Sequence, residues 1–310
     1  MPDPALVRRF ADDLDALIGA GGRVGVAISG GPDSLALLLL TAAARPGRLE
    51  AATVDHGLRE ESAGEARFVA ETSARLAIPH TILRPPSPIR GNLQSAARAA
   101  RYALLEEWRA ARGLHYVLTA HHADDQAETL LMRLNRGSGL AGLSSIRATN
   151  GHVARPLLGW RRAELAAVVA AAGLTWIEDP SNADPRFDRA RLRAHLGAAG
   201  WLDPAALARS AGALAAAGEA LEWSADRLWA ERAAPDNDGL VVDTSGLPVE
   251  MVRRLVLRAL GEVAPGAAPR GAELMRLIAD LEAGRTATLA GVKAQGGDRW
   301  RFASAPPRRR

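Results

Sequence analysis

The segment Ser29-Gly30-Gly31-Pro32-Asp33-Ser34 combines residue types that suit the binding of a polyphosphate. Its two glycines let the main chain approach phosphate closely, and the N–H groups of a turn that leads into a helix point towards such an anion. The serine hydroxyls can donate hydrogen bonds to phosphate oxygens. Asp33 beside an anion is explained if it is a ligand of Mg²⁺. An ordinary glycine turn would account for Gly30 and Gly31, but not for the serines together with Asp33.

Two common phosphate-binding motifs are absent from the sequence. It has no GxxxxGK(S/T) motif, which is typical of enzymes that cleave the β–γ bond of a nucleoside triphosphate. No GxGxxG fingerprint opens the helix that follows the segment. The segment therefore represents a different type of phosphate loop.

The elements around this loop predict an α/β fold with a parallel sheet. Short β-like runs alternate with helical patterns, which indicates parallel strands joined by right-handed crossovers. The predicted strands cover 23–29, 49–55, 78–84 and 115–120, and the predicted helices begin near Ser34 or cover 63–76, 93–113, about 122–134 and 161–172. In such sheets ligands bind beyond the carboxyl ends of the strands. Residues 29–34, 55–56 and 121–125 all lie at that edge.

The character of the sequence changes near residue 205. Leu207, Leu214, Leu221 and Leu228 recur every seven residues, which predicts a long helix with one apolar side. A packed interdomain helix is favoured over a short dimerising coiled coil. Further helices are predicted over 250–262 and 270–283, followed by a β-like end at 286–303. We therefore predict a catalytic domain, 1–204, and a smaller, mainly helical C-terminal domain, 205–310.

Composition narrows the possible partners and chemistry. The 310-residue chain has a formal net charge of +4, carried almost wholly by arginine, and Lys293 is its single lysine. Arginine suits phosphate-rich partners such as RNA, but a general bias towards arginine codons explains the charge equally well. With no cysteine, the chain cannot form disulfides, iron–sulfur clusters, thiolate zinc sites or a cysteine nucleophile. No signal peptide or bilayer-length apolar run is present, so we expect a cytoplasmic protein without a membrane partner.

The phosphate loop resembles the SGGxDS signature of the PP-loop, or N-type ATP pyrophosphatase, superfamily. Several other segments resemble the tRNA(Ile)-lysidine synthetase family, over about residues 20–200: VDHGLREES (54–62), AARAARYALL (96–105), AHHADDQAETLLMRLNRGSGLAGL (120–143), RPLL (155–158) and WIEDPSNAD (176–184). The resemblance implies an adenine nucleotide alpha-hydrolase-like fold that uses ATP and Mg²⁺. It also implies that ATP adenylates O2 of the wobble cytidine, position 34, in the CAU anticodon loop of an isoleucine tRNA. The ε-amino group of free L-lysine then attacks C2 and expels AMP, which leaves lysidine.

The same resemblance assigns roles at the nucleotide. It implies that Ser29, Gly30, Gly31, Pro32, Asp33 and Ser34 bind the pyrophosphate part of ATP. Asp55 and His56, at the end of the second predicted strand, would lie beside the nucleotide. Asp55 could equally be a turn residue.

The segment from His121 to Glu128 fits the second half of that reaction. Its carboxylates could hold Mg²⁺ or bind the lysine ammonium and accept a proton from it. On a helix, His121 and Asp125 would share one side. The adjacent histidines would diverge, which disfavours zinc, whereas simple polar capping of a helix stays an alternative. We predict catalytic roles for Asp33, His122, Asp125 and Glu128, with Asp33 and Asp125 as Mg²⁺ ligands.

A polar segment near residue 180 resembles the substrate-facing loop of the family. It contains Glu178, Asp179 and Asn182, and arginines at 186, 189, 191 and 193 could balance transition-state charge or contact RNA. We predict a catalytic role for Arg189, although Ala190 follows it where the family pattern has asparagine. Arg98 and Arg101 could contact phosphate or RNA, or be ordinary surface arginines, and the C-terminal domain is expected to contact tRNA.

Three rival functions lead to different expectations. The tRNA thiolases of the superfamily need cysteine, which this chain lacks. A PP-loop ligase for a small molecule would share the phosphate loop but not the HHADDQAET and EDPSN segments. A non-catalytic ATP-binding or tRNA-binding module would not need Asp33, Asp125 and Glu128. The sequence leaves the oligomeric state open.

Overall fold

The computed structural model describes residues 2–57, 62–87, 93–144, 146–178, 186 and 188–306. The chain forms two compact units, Met1–Ala215 and Ala216–Arg310. The division falls inside a long helix, α9 (Pro204–Arg232). The predicted domain boundary at residue 204 coincides with the start of this helix, and it stays a prediction.

The first unit is built on a six-stranded sheet with the strand order β3-β2-β1-β4-β6-β5. All neighbouring strands pair in parallel except β5 and β6, so the predicted parallel sheet is confirmed. Its strands are β1 (Val24–Ala27), β2 (Leu49–Val54), β3 (His80–Leu83), β4 (Tyr116–Leu118), β5 (Thr149–Asn150) and β6 (Val153–Ala154).

The helices of this unit are α1 (Pro4–Ile18), α2 (Pro32–Ala44), α3 (Ser62–Arg75), α4 (Leu93–Ala111), α5 (Ala123–Asn135), α6 (Leu140–Leu143), α7 (Arg162–Ala171) and α8 (Asp188–Ala198). Helices and strands of this unit alternate from β1 to α5, whereas α1 precedes the first strand and α6, α7 and α8 come later. The sequence patterns predicted α2, α3, α4, α5 and α7 to within a few residues, whereas α1 was not predicted. Among the described helices, none is long and apolar enough to cross a membrane.

The buried position of α2 explains why its sequence is almost continuously apolar. All of 34–41 is buried, because the helix packs against α1, α7 and the sheet rather than presenting one side to water. Trp160 is fully buried there, edge-on to Phe10, and its indole N–H donates to Asp13 Oδ2 at 2.8 Å. Trp160 therefore belongs to the core. A Cβ on Gly25 would lie 2.4 Å from the Trp108 ring, so glycine lets α4 approach β1 closely.

The second unit contains the C-terminal part of α9 and an antiparallel sheet with the strand order β7-β8-β11-β10-β9. Two helices, α10 (Val249–Val263) and α11 (Gly271–Glu282), share an apolar core with this sheet. The strands are β7 (Ala233–Asp236), β8 (Gly239–Val242), β9 (Thr286–Leu289), β10 (Val292–Gln295) and β11 (Trp300–Ser304). The helices and the β-like end were predicted. The β7–β8 hairpin was not, because alanine, proline and aspartate in β7 have low strand propensity.

Candidate functional site

The phosphate loop closes on itself through a serine. Ser34 Oγ donates to the Gly31 carbonyl at 2.9 Å and accepts from the Ser29 N–H at 3.2 Å. Ser29 Oγ lies 3.3 Å from Ser34 Oγ. The loop joins β1 to α2, so it lies at the carboxyl end of a central strand. These hydrogen bonds hold the loop in a compact turn, in which the hydroxyls of Ser29 and Ser34 are neighbours.

Gly30 and Gly31 are needed for different reasons. Gly30 has a φ of +85°, and a Cβ there would lie 2.6 Å from Ile177 Cδ1. Its carbonyl accepts a hydrogen bond from the Ile177 N–H at 3.0 Å, which ties the loop to 174–178. Gly31 is the N-cap of α2 and makes no side-chain capping bond, and Pro32 begins the helix. The first N–H groups of α2 are therefore suited to an anion.

Asp33 lies in the first turn of α2 with its two oxygens in different environments. Oδ2 lies 3.4 Å from Nε2 of His122. Oδ1 is buried and has no hydrogen-bond partner among the described residues. A buried carboxylate oxygen without a partner is costly, so this atom fits a site for a bound cation.

His122 joins the phosphate loop to α5. It is 2% exposed and caps α5, because Nδ1 accepts from the Asp125 N–H at 3.3 Å while the His122 N–H donates to Asp125 Oδ2 at 3.2 Å. The bond at Nδ1 leaves Nε2 with the proton, and Nε2 faces Oδ2 of Asp33 and, at 3.5 Å, Oδ2 of Asp125. Burial lowers the pKa of His122, but the bond to Asp33 and the neighbouring carboxylates outweigh it and raise that pKa.

His121 lies outside the helix, so the prediction that it shares a side of α5 with Asp125 was wrong. The helix begins at Ala123, after the His122 cap, and His121 Nδ1 instead lies 3.0 Å from Thr119 Oγ1. The pKa of His121 is lowered to about 3 by burial and by the positive charges of Arg155, Arg101, Arg98 and Arg189. The capping role that was an alternative for this segment is present, and it coexists with the cluster of acids.

Asp124 is held by donors from the start of α7. Its carboxylate accepts from Arg161 Nε at 3.2 Å, Arg161 Nη2 at 3.1 Å and the Arg162 N–H at 2.9 Å. Burial raises the pKa of Asp124, but these hydrogen bonds lower it below its ordinary value. Arg161 also lies 3.7 Å from Asp203, which precedes α9. Asp124 therefore fixes α5 in place.

Glu128 is buried in α5 and meets arginines of α8. Arg193 binds it through two hydrogen bonds, from Nε to Oε1 at 2.7 Å and from Nη2 to Oε2 at 3.1 Å. Arg189 Nε lies 4.0 Å from Glu128 Oε2, and its Nη2 donates to Thr129 Oγ1 at 2.9 Å. The bond to Glu128, with smaller effects from the charges of Asp125 and Asp33, raises the pKa of Arg193. Of the two arginines, Arg193 therefore makes the closer contact with Glu128. The sequence signal for this role was its spacing of four residues from Arg189, which places both on one side of a helix.

Asp55 and His56 lie at the end of β2. Asp55 accepts from the Gly57 N–H at 3.0 Å and from Arg84 Nε at 3.1 Å, so both its oxygens have protein partners, as a turn residue would. His56 Nδ1 is buried and lacks a hydrogen-bond partner within the described ranges. Burial and the charge of Arg101 lower the pKa of His56 despite the opposing charge of Asp55. The lowered pKa favours the neutral imidazole, whose Nδ1 has no described partner.

The structure brings part of the sequence-predicted site together. Asp33, His122 and Asp125 meet directly, and Glu128 with Arg189 and Arg193 lies along α5. Asp179 and Asn182, in the EDPSN segment, lie outside the described residues, and Glu178 is exposed. In the described part of the chain no group of three or more acidic, histidine or cysteine side chains forms a metal cage.

Sequence comparisons with known proteins point to one family. A family model described as a PP-loop domain matches residues 6–199. The tRNA(Ile)-lysidine synthase of Zymomonas mobilis is 43% identical over 315 residues, covering 98% of this chain and 95% of that protein. The enzyme of the same name from Novosphingobium aromaticivorans is 46% identical over 309 residues, covering 97% and 94%.

A solved structure supports the fold alone. The U34-tRNA thiolase NcsA from Methanococcus maripaludis superposes with a TM-score of 0.54 at 15% identity, covering 67% of this chain and 78% of that one.

The family model and the two similar enzymes show that the chain belongs to the PP-loop family and, within it, to the tRNA(Ile)-lysidine synthases.

Proposed function

We propose that this protein uses ATP to ligate free L-lysine to C2 of the wobble cytidine, position 34, of an isoleucine tRNA with a CAU anticodon. The observation that carries the proposal is the meeting of Asp33 and Asp125 at one imidazole, His122, directly beside the phosphate loop. This arrangement brings a polyphosphate site and a set of acids to the same edge of the parallel sheet. An ATP-dependent attack by an amine needs both.

The phosphate loop and the start of α2 are suited to the pyrophosphate part of ATP. The main-chain N–H groups at the start of α2 beyond Pro32 and the hydroxyl of Ser29 are donors for phosphate oxygens. The hydroxyl of Ser34 would have to turn away from the Gly31 carbonyl to donate to phosphate as well. Asp33 and Asp125 would hold Mg²⁺, which neutralises polyphosphate charge when it is bound. The buried, unpartnered Oδ1 of Asp33 is the atom that fits such an ion.

The acids of α5 are suited to the lysine amine. A lysine ammonium is not nucleophilic until it loses a proton, and Asp125 is the carboxylate proposed to accept it. Asp125 lies near His122, the histidine that also faces Asp33. Glu128 adds a second buried carboxylate, and Arg193 and Arg189 provide positive charge beside it. In the reaction the O2 of cytidine attacks the α-phosphorus of ATP and pyrophosphate leaves. The lysine nitrogen then attacks C2, and the C2–O2 bond breaks to release AMP.

The direct test is incubation with labelled lysine, ATP, Mg²⁺ and an isoleucine tRNA transcript, followed by nucleoside mass analysis. We expect lysidine from a transcript with the CAU anticodon and none from the same transcript with a GAU anticodon. Pyrophosphate release should require both tRNA and lysine for continued turnover. Release that needs a free nucleotide but no RNA would instead indicate a ligase for a small molecule. Because its substrates are cytoplasmic, we also propose that location for the enzyme.

A further inference from the structure

One hydrogen bond joins the phosphate loop to a segment far along the chain. The Ile177 N–H donates to the Gly30 carbonyl at 3.0 Å. Gly30 is buried and Ile177 is half-buried, so water competes little for this bond. None of the roles proposed for the site uses Ile177. The bond is therefore a fixed connection of the loop whose purpose is still to be explained.

This bond sets the orientation of the peptide group between Gly30 and Gly31. A peptide group is planar, and because this one is trans, its N–H points away from its carbonyl. The carbonyl faces Ile177, so the Gly31 N–H faces the opposite way. Gly31 is half-buried, and no described residue accepts a hydrogen bond from its N–H. That N–H is therefore open to an anion bound by the loop.

Two adjacent glycines make the orientation easy to lose. Neither residue has a Cβ, so the peptide group between them can rotate at little steric cost. A rotation by about 180° would turn the Gly30 carbonyl oxygen towards the phosphates and the Gly31 N–H away from them. The partial negative charge of the oxygen would then repel the polyphosphate. A donor that holds the Gly30 carbonyl on the other side disfavours this rotation.

The donor is anchored by packing that does not depend on the loop. Leu174 and Trp176, on the same segment as Ile177, pack against the core of the first unit. A Cβ on Gly30 would lie 2.6 Å from Ile177 Cδ1 and 3.2 Å from Val69 Cγ2, so these two side chains fill the space beside the glycine. Val69 is itself fully buried in α3. The segment thus holds Gly30 through both a hydrogen bond and side-chain contact.

We propose that Ile177 is a positioning residue for the pyrophosphate part of ATP. Its N–H keeps the Gly30 carbonyl turned away from the phosphates and so directs the Gly31 N–H towards them. The inference rests on the proposed function for the identity of the ligand. Because the peptide group that Ile177 orients belongs to the phosphate loop, the effect falls on the affinity for ATP and pyrophosphate and not on the affinity for tRNA.

The first test removes the Ile177 N–H alone. Translation in vitro with the α-hydroxy acid that corresponds to isoleucine replaces this amide by an ester and keeps the side chain. We expect the Kd for ATP with Mg²⁺, and for pyrophosphate with Mg²⁺, to rise roughly 10-fold, while the Kd for tRNA changes by less than about 2-fold.

The matched control is the same ester at Ile78. The Ile78 N–H donates to the Ser73 carbonyl at 2.9 Å, before the first residue of β3 and thus at the opposite edge of the parallel sheet. Urea unfolding should show a similar loss of stability in the two esters, but the Ile78 ester should keep its affinity for ATP. Equal losses of ATP affinity in the two esters, or no loss in the Ile177 ester, would overturn the inference.

The second test follows the Gly31 N–H directly. In protein labelled with ¹⁵N-glycine, the Gly31 amide resonance, assigned with the variant Gly31→Ala, should shift when pyrophosphate and Mg²⁺ bind to the wild type. It should shift much less in the Ile177 ester. The Gly47 amide, beyond the far end of α2, is the internal reference and should stay unchanged. A Gly31 resonance that does not move in the pyrophosphate-bound wild type would contradict the proposed orientation.

Both tests measure binding without the formation of lysidine. A wild type that binds ATP and behaves as expected in these tests, but makes no lysidine, would refute the proposed function and leave the role of Ile177 standing. A wild type that makes lysidine while its Ile177 ester binds ATP normally would refute the role of Ile177 alone.

Discussion

The first turns of α2 and α5 carry acidic residues with opposite surroundings. Asp124 in α5 receives three N–H donors from Arg161 and Arg162, so its charge is satisfied by the protein. Asp33 in α2 has a buried oxygen for which the described residues supply no donor. Both helices follow strands of the same parallel sheet. The difference indicates that Asp124 stabilises the site, and it supports the proposal that Asp33 binds a ligand.

Glu128 stands between these two cases. It is buried like a structural acid, and Arg193 satisfies it with two hydrogen bonds. Its partner, however, comes from α8, and Glu128 itself is one of the acids proposed to receive the lysine amine. A carboxylate in this position can serve both stability and substrate binding. Substitutions at the three acids should therefore separate activity from stability to different degrees.

The largest effect is expected for Asp33→Asn. Loss of a ligand to the polyphosphate and its cation should lower pyrophosphate release by about 10³-fold or more, while the tRNA Kd changes little. The stability of the folded state should change little, because one carboxylate oxygen is buried without a partner among the described residues while the other lies beside His122. Pyrophosphate assays and urea unfolding measure the two quantities. Asp12→Asn, at an exposed residue of α1, is the control, and normal turnover in Asp33→Asn would refute the metal role.

Glu128→Gln should affect activity and stability together. Arg193 would keep a neutral partner in a buried place, so we expect a loss of about 2–3 kcal/mol in the free energy of unfolding. The KM for lysine should rise by roughly 10²-fold, since an ammonium loses its counter-charge. Glu106→Gln removes the exposed partner of Arg109 and should cost no more than about 1 kcal/mol. An unchanged KM for lysine would show that Glu128 is structural only.

Asp124→Asn should mainly change stability. The asparagine cannot satisfy the charge of Arg161, so the free energy of unfolding should fall by about 2 kcal/mol, with a loss of activity of no more than roughly 10-fold. Chemical denaturation and steady-state kinetics test this pair of values. Asp203→Asn, whose carboxylate lies 3.7 Å from Arg161 without a short hydrogen bond, should have the smaller effect. An activity loss as large as that of Asp33→Asn would remove the distinction between the two first turns.

The smallest effect concerns pH and His121. Its pKa is lowered to about 3 in the folded protein, so the unfolded state takes up a proton first as the pH falls below about 6.5. The stability contributed by the neutral imidazole is present above that pH and is lost below it. Between pH 7.5 and 5.5 the wild type should lose about 1 kcal/mol more than His121→Asn. Equal losses in the two proteins would show that His121 is not held neutral.

Local patterns were sufficient for the parallel sheet and for the edge at which the site lies. Each strand-loop-helix unit of the first domain is short and carries its own signals, such as the glycines before α2 and the acids in the first turn of α5. The antiparallel sheet was predicted only in part. The β7–β8 hairpin is held by pairing with β11, about 60 residues later, rather than by residues with high strand propensity.

The sequence by itself determined the loop at 29–34, the acids of α5 and the order of elements that brings them to one edge. Only the tertiary structure decided which donors surround each acid. His122 became a helix cap that faces Asp33, and Arg193 reached Glu128 across 65 positions of the chain. A carboxylate acts according to the donors around it, and those donors come from elements that are distant in sequence and close only after folding.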